Sequence, residues 1–134
     1  MLLVSTFSCE KPFTEYSLGV GIAPWGPWKN LNYDNTVIII NNNSELEHYF
    51  AGTGDDFPNI NFSKRTLLIA NGVTGAGINT KSIKGLQRFS INRYKLNIEI
   101  SVYDTADLGA WVTTLTTNKL RNDAYVELNV KIKK

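Results

Sequence analysis

The sequence predicts an α+β fold: a curved antiparallel β-sheet or partial barrel of about six to seven strands, with one short helix packed on it. Three observations carry that prediction. Apolar and polar residues alternate over Tyr94–Val102 and again over Val126–Ile132, the period of strands with one wet face. Two apolar, partly β-branched runs, Thr36–Ile40 and Thr66–Ala70, lie between turn-forming segments, as buried strands do. Only one stretch, from Ser44, joins a capping pattern to apolar residues at helical spacing, so there is no βαβ alternation to argue for a parallel sheet. With 134 residues, 43% hydrophobic and 19% charged, the chain suits one compact core and lies far from the composition of disordered segments.

Read in order, the chain opens on Met1–Ser8, a short apolar run ending in a small residue, followed at once by the lone cysteine, Cys9. This arrangement reads as a truncated-looking lipoprotein signal segment over 1–8, with Cys9 as the acylated residue, although Thr6 stands where the lipobox prefers Leu and no Lys or Arg precedes the run. Acyl chains are worth about 0.8 kcal/mol per buried CH₂, so several on one residue hold a small domain at a membrane. Residues 9–16 then read as a polar tether, and 17–134 as the single domain.

The first part of that domain, Ser17–Asp34, holds three of the ten glycines, two of the four prolines and two of the three tryptophans. Pro24 and Pro27 forbid a regular helix, which leaves a short strand near Gly19–Ala23 and an extended aromatic loop. Thr36–Ile40 follows as a buried strand. The helix is placed at Ser44–Phe50, with Ser44 and Glu47 as a capping box and Leu46, Tyr49 and Phe50 facing inward at i, i+3, i+4. After a turn-like connection, Thr66–Ala70 is a second buried strand and Asn71–Gly77 a flexible glycine loop. Ile78–Ser90 reads as a long irregular strand, Asn92-Arg93 as a turn, and Trp111–Thr117 as a threonine-rich strand.

Net charge is +2, too small to predict a nucleic-acid partner. The distribution is uneven, however: Lys64, Arg65, Lys81, Lys84, Arg88, Arg93 and Lys95 fall between Phe57 and Ile98 without one acidic residue. If Lys81, Lys84 and Arg88 share a sheet face they form a positive patch for an anionic glycan, a headgroup or an acidic protein. Trp25, Trp28 and Tyr33 offer a second candidate, an aromatic platform, unless that loop instead folds over an open part of the sheet and buries its rings. Catalytic patterns are absent from the sequence. Gly72, Gly75 and Gly77 precede a strand rather than a helix, which is wrong for a phosphate loop. His48 is the only histidine and has no nucleophile turn to serve. Asp55-Asp56 and Asp104/Asp107 lack calcium-loop spacing. No metal or cofactor is expected, and no enzymatic activity.

From about Val37 onward the order of elements resembles the PrcB C-terminal domain family. The motif that carries this is Asn59-Ile60-Asn61-Phe62-Ser63-Lys64-Arg65-Thr66-Leu67-Leu68, similar to that family's entry into its apolar strand, with Asn61 in the place of its usual Asp. Asn43-Ser44-Glu45-Leu46-Glu47 matches the family's helix start. Gly72–Ile78 stands where the family has a Gly-Gly-Tyr-type loop, and Asn122–Tyr125 where it has a Pro-Tyr-His segment, so the chain looks like a divergent, Bacteroides-type branch with a PrcB-like core over about 37–134. The resemblance implies an accessory lipoprotein beside an envelope protease complex, with no catalytic residues. The expected function is therefore a non-catalytic binding or accessory module of a cell-envelope protein complex, lipid-anchored at the outer membrane or surface of a Gram-negative bacterium. The alternative is a surface glycan-binding protein that uses the Trp25, Trp28 and Tyr33 loop.

Overall fold

The computed structural model describes residues 12–13, 16–18, 28–52 and 57–134. Within them lie eight strands and one helix: β1 (Pro12–Phe13), β2 (Tyr16–Leu18), β3 (Thr36–Ile40), α1 (Asn43–Tyr49), β4 (Arg65–Thr74), β5 (Ile78–Ser90), β6 (Arg93–Val102), β7 (Gly109–Asn118) and β8 (Tyr125–Lys133). Six of the strands are five residues or longer. They form two four-stranded sheets that do not close into a barrel, one ordered β1-β5-β6-β8 and the other β2-β7-β4-β3. The fold is thus α+β and dominated by curved, mostly antiparallel sheet, as the alternation predicts.

The core between the sheets draws Leu68 and Ala70 from β4, Trp111 and Leu115 from β7, Leu86 from β5, Val126 from β8, and the whole apolar set of β6, Tyr94, Leu96, Ile98, Ile100 and Val102. A second core lies on the opposite face of the β2-β7-β4-β3 sheet. There Ile40, Leu67, Ile69 and Val112 are covered by Leu46 and Phe50 of the helical segment, with Trp28, Leu31, Tyr33, Ile60 and Phe62 around them. Two-sided burial explains why β3 and β4 read as unbroken apolar runs whereas β6 alternates: alternate residues of β3 and β4 feed different cores.

Several local details differ from the sequence reading. The N-cap of α1 is Asn42, whose Oδ1 accepts from the Glu45 N–H at 2.8 Å, and Glu45 Oε1 accepts from the Asn41 N–H at 2.7 Å. The Asn42/Glu45 pair has the same chemistry as Ser44/Glu47 two residues earlier, and Asn caps a helix as well as Ser does. Strand β4 runs on to Thr74, so the glycine loop shrinks to Gly75–Gly77. Gly72 belongs to the strand because it faces Trp111 in register, and a Cβ there would collide with the Asn35 carboxamide. Part of the segment 9–16, expected to be a tether, joins the sheets as β1 and the start of β2. β1 takes an edge position, where the missing N–H of Pro12 is tolerated.

The largest departure concerns β8, which pairs parallel to β6 in register Arg93↔Tyr125 through Ser101↔Lys133. After β6 the chain crosses to β7 in the other sheet and then returns. Two crossings mean two reversals, so β8 runs in the direction of β6. The long strand predicted at Ile78–Ser90 is β5, and its irregularity takes the form of register shifts at Ile78/Thr80, Ile83/Gly85 and Arg88/Ser90.

Candidate functional site: the outer face of the β1-β5-β6-β8 sheet

The two outer faces of the molecule differ. That of the β2-β7-β4-β3 sheet is occupied by α1 and by loops 28–35 and 57–62, which build the second core. That of the other sheet carries Lys95, Asn97, Glu99 and Ser101 of β6 beside Glu127, Asn129, Lys131 and Lys133 of β8, all half-buried or exposed. Register fixes this grouping, since each partner lies opposite a residue of the same face.

Three rows of contacts order the face. At one end the Arg93 guanidinium stacks between the rings of Phe89 and Tyr125, 5.5 and 5.3 Å from their centroids. Tyr125 is 53% exposed, so this clamp stands at the surface. In the middle the Asn129 amide donates to Asn97 Oδ1 at 2.8 Å, and the Asn97 amide to Gln87 Oε1 at 2.9 Å. At the far end Glu99 accepts Lys133 at 2.9 Å and Lys84 at 3.4 Å. The hydrogen bond from Lys133, and then Lys84, hold the Glu99 carboxyl below its ordinary range. The exposed lysines limit what these ion pairs add to stability.

The residues singled out in the sequence are dispersed. Lys84 belongs to this face, but Lys81 lies opposite Ile100 in register and points between the sheets, where its ammonium donates to the Val112 carbonyl at 2.8 Å. Arg88 lies near the other end of β5, exposed, and donates to the Ser90 carbonyl at 3.3 Å. The three therefore make no common patch. Trp28 pairs its backbone with Phe50 and packs edge-on to that ring at 5.3 Å, while Tyr33 sits at positive φ with its N–H held by buried Asn71 at 2.9 Å. Both half-buried rings belong to the second core. Cys9 and Trp25 lie outside the described residues. His48 is exposed and packs edge-on against Tyr49. Among the described residues no three His, Cys, Asp or Glu side chains group as metal ligands, and no helix is long and apolar enough to cross a membrane.

Sequence reasoning missed the Arg93 clamp. The sequence signal for it is the spacing of Phe89 and Arg93 across the Ile91-Asn92 turn, which fixes a hairpin and sets the two side by side. Tyr125 joins them only through the parallel pairing, which no local pattern encodes.

Lys81 gives a pH-dependent prediction. Burial lowers its pKa from the ordinary 10.5, so as pH climbs toward that value the unfolded chain holds more protons than the native one and stability rises with pH. Lys81→Met removes this rise. The difference in Tm, wild type minus variant, should increase from about pH 7 to about pH 10, and an unchanged difference in thermal unfolding would place the ammonium in water.

Two shallow grooves border the site. One, of about 360 Å³, runs between the edges of β3 and β8 and is lined by Asn35, Val37, Ile39, Tyr125, Glu127 and Leu128 among others. The other, of about 410 Å³, lies at the end of the sandwich near Val73, Tyr103 and Ile132. No family model, no curated protein and no solved structure matches the chain.

Proposed function

We propose that this chain is a non-catalytic binding module of a cell-envelope protein complex, held at the membrane of a Gram-negative bacterium by acylation of Cys9, with its partner docking on the outer face of the β1-β5-β6-β8 sheet. The observation that carries this reading is the Arg93 clamp between Phe89 and Tyr125, on a face that no described residue packs over. Arg and Tyr are the side chains that most often dominate binding energy at protein interfaces, and a stacked guanidinium loses little further entropy on contact. The resemblance of the chain from Val37 onward to an accessory lipoprotein family supports the same role.

Affinity purification of the full chain from its own membranes tests the proposal. Wild type should recover a stoichiometric protein, Cys9→Ala should move the chain to the soluble fraction, and Arg93→Ala should cut recovery about tenfold, as loss of an interface hot spot does. Absence of a stoichiometric partner, or recovery indifferent to Arg93, would sink it. A second reading is a surface glycan, favoured by the amide row Gln87, Asn97 and Asn129 next to exposed Tyr125. Binding on a glycan array that is lost with Asn97→Ala while no protein co-purifies would select it.

A further inference from the structure

Strand β8 ends its sheet: β6 is hydrogen-bonded to it on one side, and among the described residues no strand is hydrogen-bonded on the other, where the edge of β3 borders it only across the shallow groove. An edge of nine residues is long enough to invite pairing with another chain. Its sequence, Tyr-Val-Glu-Leu-Asn-Val-Lys-Ile-Lys, is complementary to itself when reversed. We propose that β8 pairs antiparallel with β8 of a second copy about a two-fold axis through Asn129, joining the two four-stranded sheets into one of eight strands.

The register follows from charge and face. Centred on Asn129, the pairing sets Glu127 opposite Lys131 of the other copy, and Lys131 opposite its Glu127. On the same outer face Tyr125 meets the apolar stem of Lys133, and the two Asn129 amides meet at the axis. On the inner face Val126 meets Ile132 and Leu128 meets Val130, which covers Ile132, 49% exposed in the single chain. All nine residues find a partner. A slip of two residues in one direction sets Glu127 opposite Asn129 and loses its lysine; in the other it gives Glu127 a lysine, Lys133, but leaves Tyr125 without a partner and Lys131 opposite Asn129. A slip of one turns the apolar set toward solvent.

Two further observations favour a second copy over a foreign strand. Among the described residues neither Glu127 nor Lys131 has an ion-pair partner, whereas Glu99 has two. Glu127 and Lys131 thus enter the interface with no ion pair of their own to break, and the two-fold axis pairs them with each other twice. Lysines on an edge ordinarily repel a copy; here a glutamate stands at the mirror position of Lys131, which reverses the sign. The backbone agrees as well. This register pairs residues of like parity, so whichever alternate residues turn N–H and C=O to the free edge meet their own kind, as a two-fold interface requires.

Sedimentation velocity of the full chain over a wide concentration range should show a reversible monomer–dimer equilibrium. Glu127→Lys and Lys131→Glu each replace two attractive cross-strand pairs by two repulsive ones and should weaken the dimer by about tenfold or more. The double variant Glu127→Lys/Lys131→Glu restores both pairs with the charges exchanged and should recover the wild-type dissociation constant. Because both side chains are on the solvent face, circular dichroism should be the same in all four proteins. In a Cys9→Ser background, Asn129→Cys should close a disulfide across the axis under mild oxidation and Lys131→Cys should not. A wild type that stays monomeric throughout overturns the proposal and leaves the edge to a different strand. A double variant as weak as the singles overturns the register, and with it the proposal.

Discussion

Leu68→Ala should cost about 3 kcal/mol of folding free energy and lower Tm by roughly 10 °C. Leu68 is fully buried at the centre of β4, opposite Ile39 of β3 and Leu115 of β7. Its side chain points into the core shared by the two sheets, against β6 and β5 residues that come from the other layer. Truncation removes apolar area and leaves a cavity walled by strands locked in ladders on both sides, so little collapse can recover the loss. The comparison that gives the result meaning is Ile132→Ala. Ile132 is half exposed at the edge, and its truncation in the monomer should cost well under 1 kcal/mol, as surface substitutions do. Chemical denaturation of both variants checks this. Equal costs would mean that the inter-sheet core is not where the stability resides.

How much of this is legible in the sequence depends on the range of the contacts concerned. The alternation of β6 is legible residue for residue, because a strand with one wet face writes its environment at period two, and Tyr94, Leu96, Ile98, Ile100 and Val102 are all buried. The bounds of β3, Thr36–Ile40, are likewise legible in its β-branched run. The sequence locates the helix but not its cap: Asn42/Glu45 and Ser44/Glu47, two residues apart, are nearly equivalent signals, and Asn42 takes the role.

What was illegible is what depends on the order of strands in space. The division into two sheets and the parallel edge strand follow from where β7 goes after β6, and the β7 sequence, five of whose ten residues are Thr-Thr-Leu-Thr-Thr, reads the same in either sheet. The dispersal of Lys81, Lys84 and Arg88 has two origins. Lys81 and Lys84 differ in parity and face opposite sides by alternation alone, whereas Lys84 and Arg88 share parity and are separated by the register shift at Ile83/Gly85, after which Arg88 stands opposite Tyr94. The clamp around Arg93 needs both the hairpin and the parallel edge. The proposed binding face and the proposed dimer edge therefore stand next to each other on the one strand whose pairing could not be read locally. Dimerisation would place two such faces side by side on a continuous sheet.

Thr66→Val should destabilise the fold by about 2 kcal/mol while leaving side-chain volume almost unchanged, which isolates a hydrogen bond from packing. Thr66 is fully buried, and its hydroxyl does two things: it donates to Asn41 Oδ1 at 2.6 Å and accepts the Leu120 N–H at 2.9 Å. Leu120 is itself buried, at the start of the connection that carries the chain from β7 back to β8. Valine leaves that backbone N–H without a partner in a place water does not reach, and an unsatisfied buried donor costs the desolvation of the group rather than the smaller net value of one hydrogen bond. Nearby, Lys119 ties the same corner by donating to the carbonyls of Phe62 at 2.6 Å and Asn41 at 3.1 Å, so the connection is anchored twice and one anchor is lost. Thr66→Ser keeps the hydroxyl and removes only a methyl group, so it should retain more than half of the difference between wild type and Thr66→Val. Amide hydrogen exchange gives the local readout: Leu120 should lose protection in Thr66→Val by more than the global change in stability explains, and keep it in Thr66→Ser. If serine proves as damaging as valine, the methyl group and not the hydroxyl holds this corner, and the return of the chain to β8 rests on packing alone.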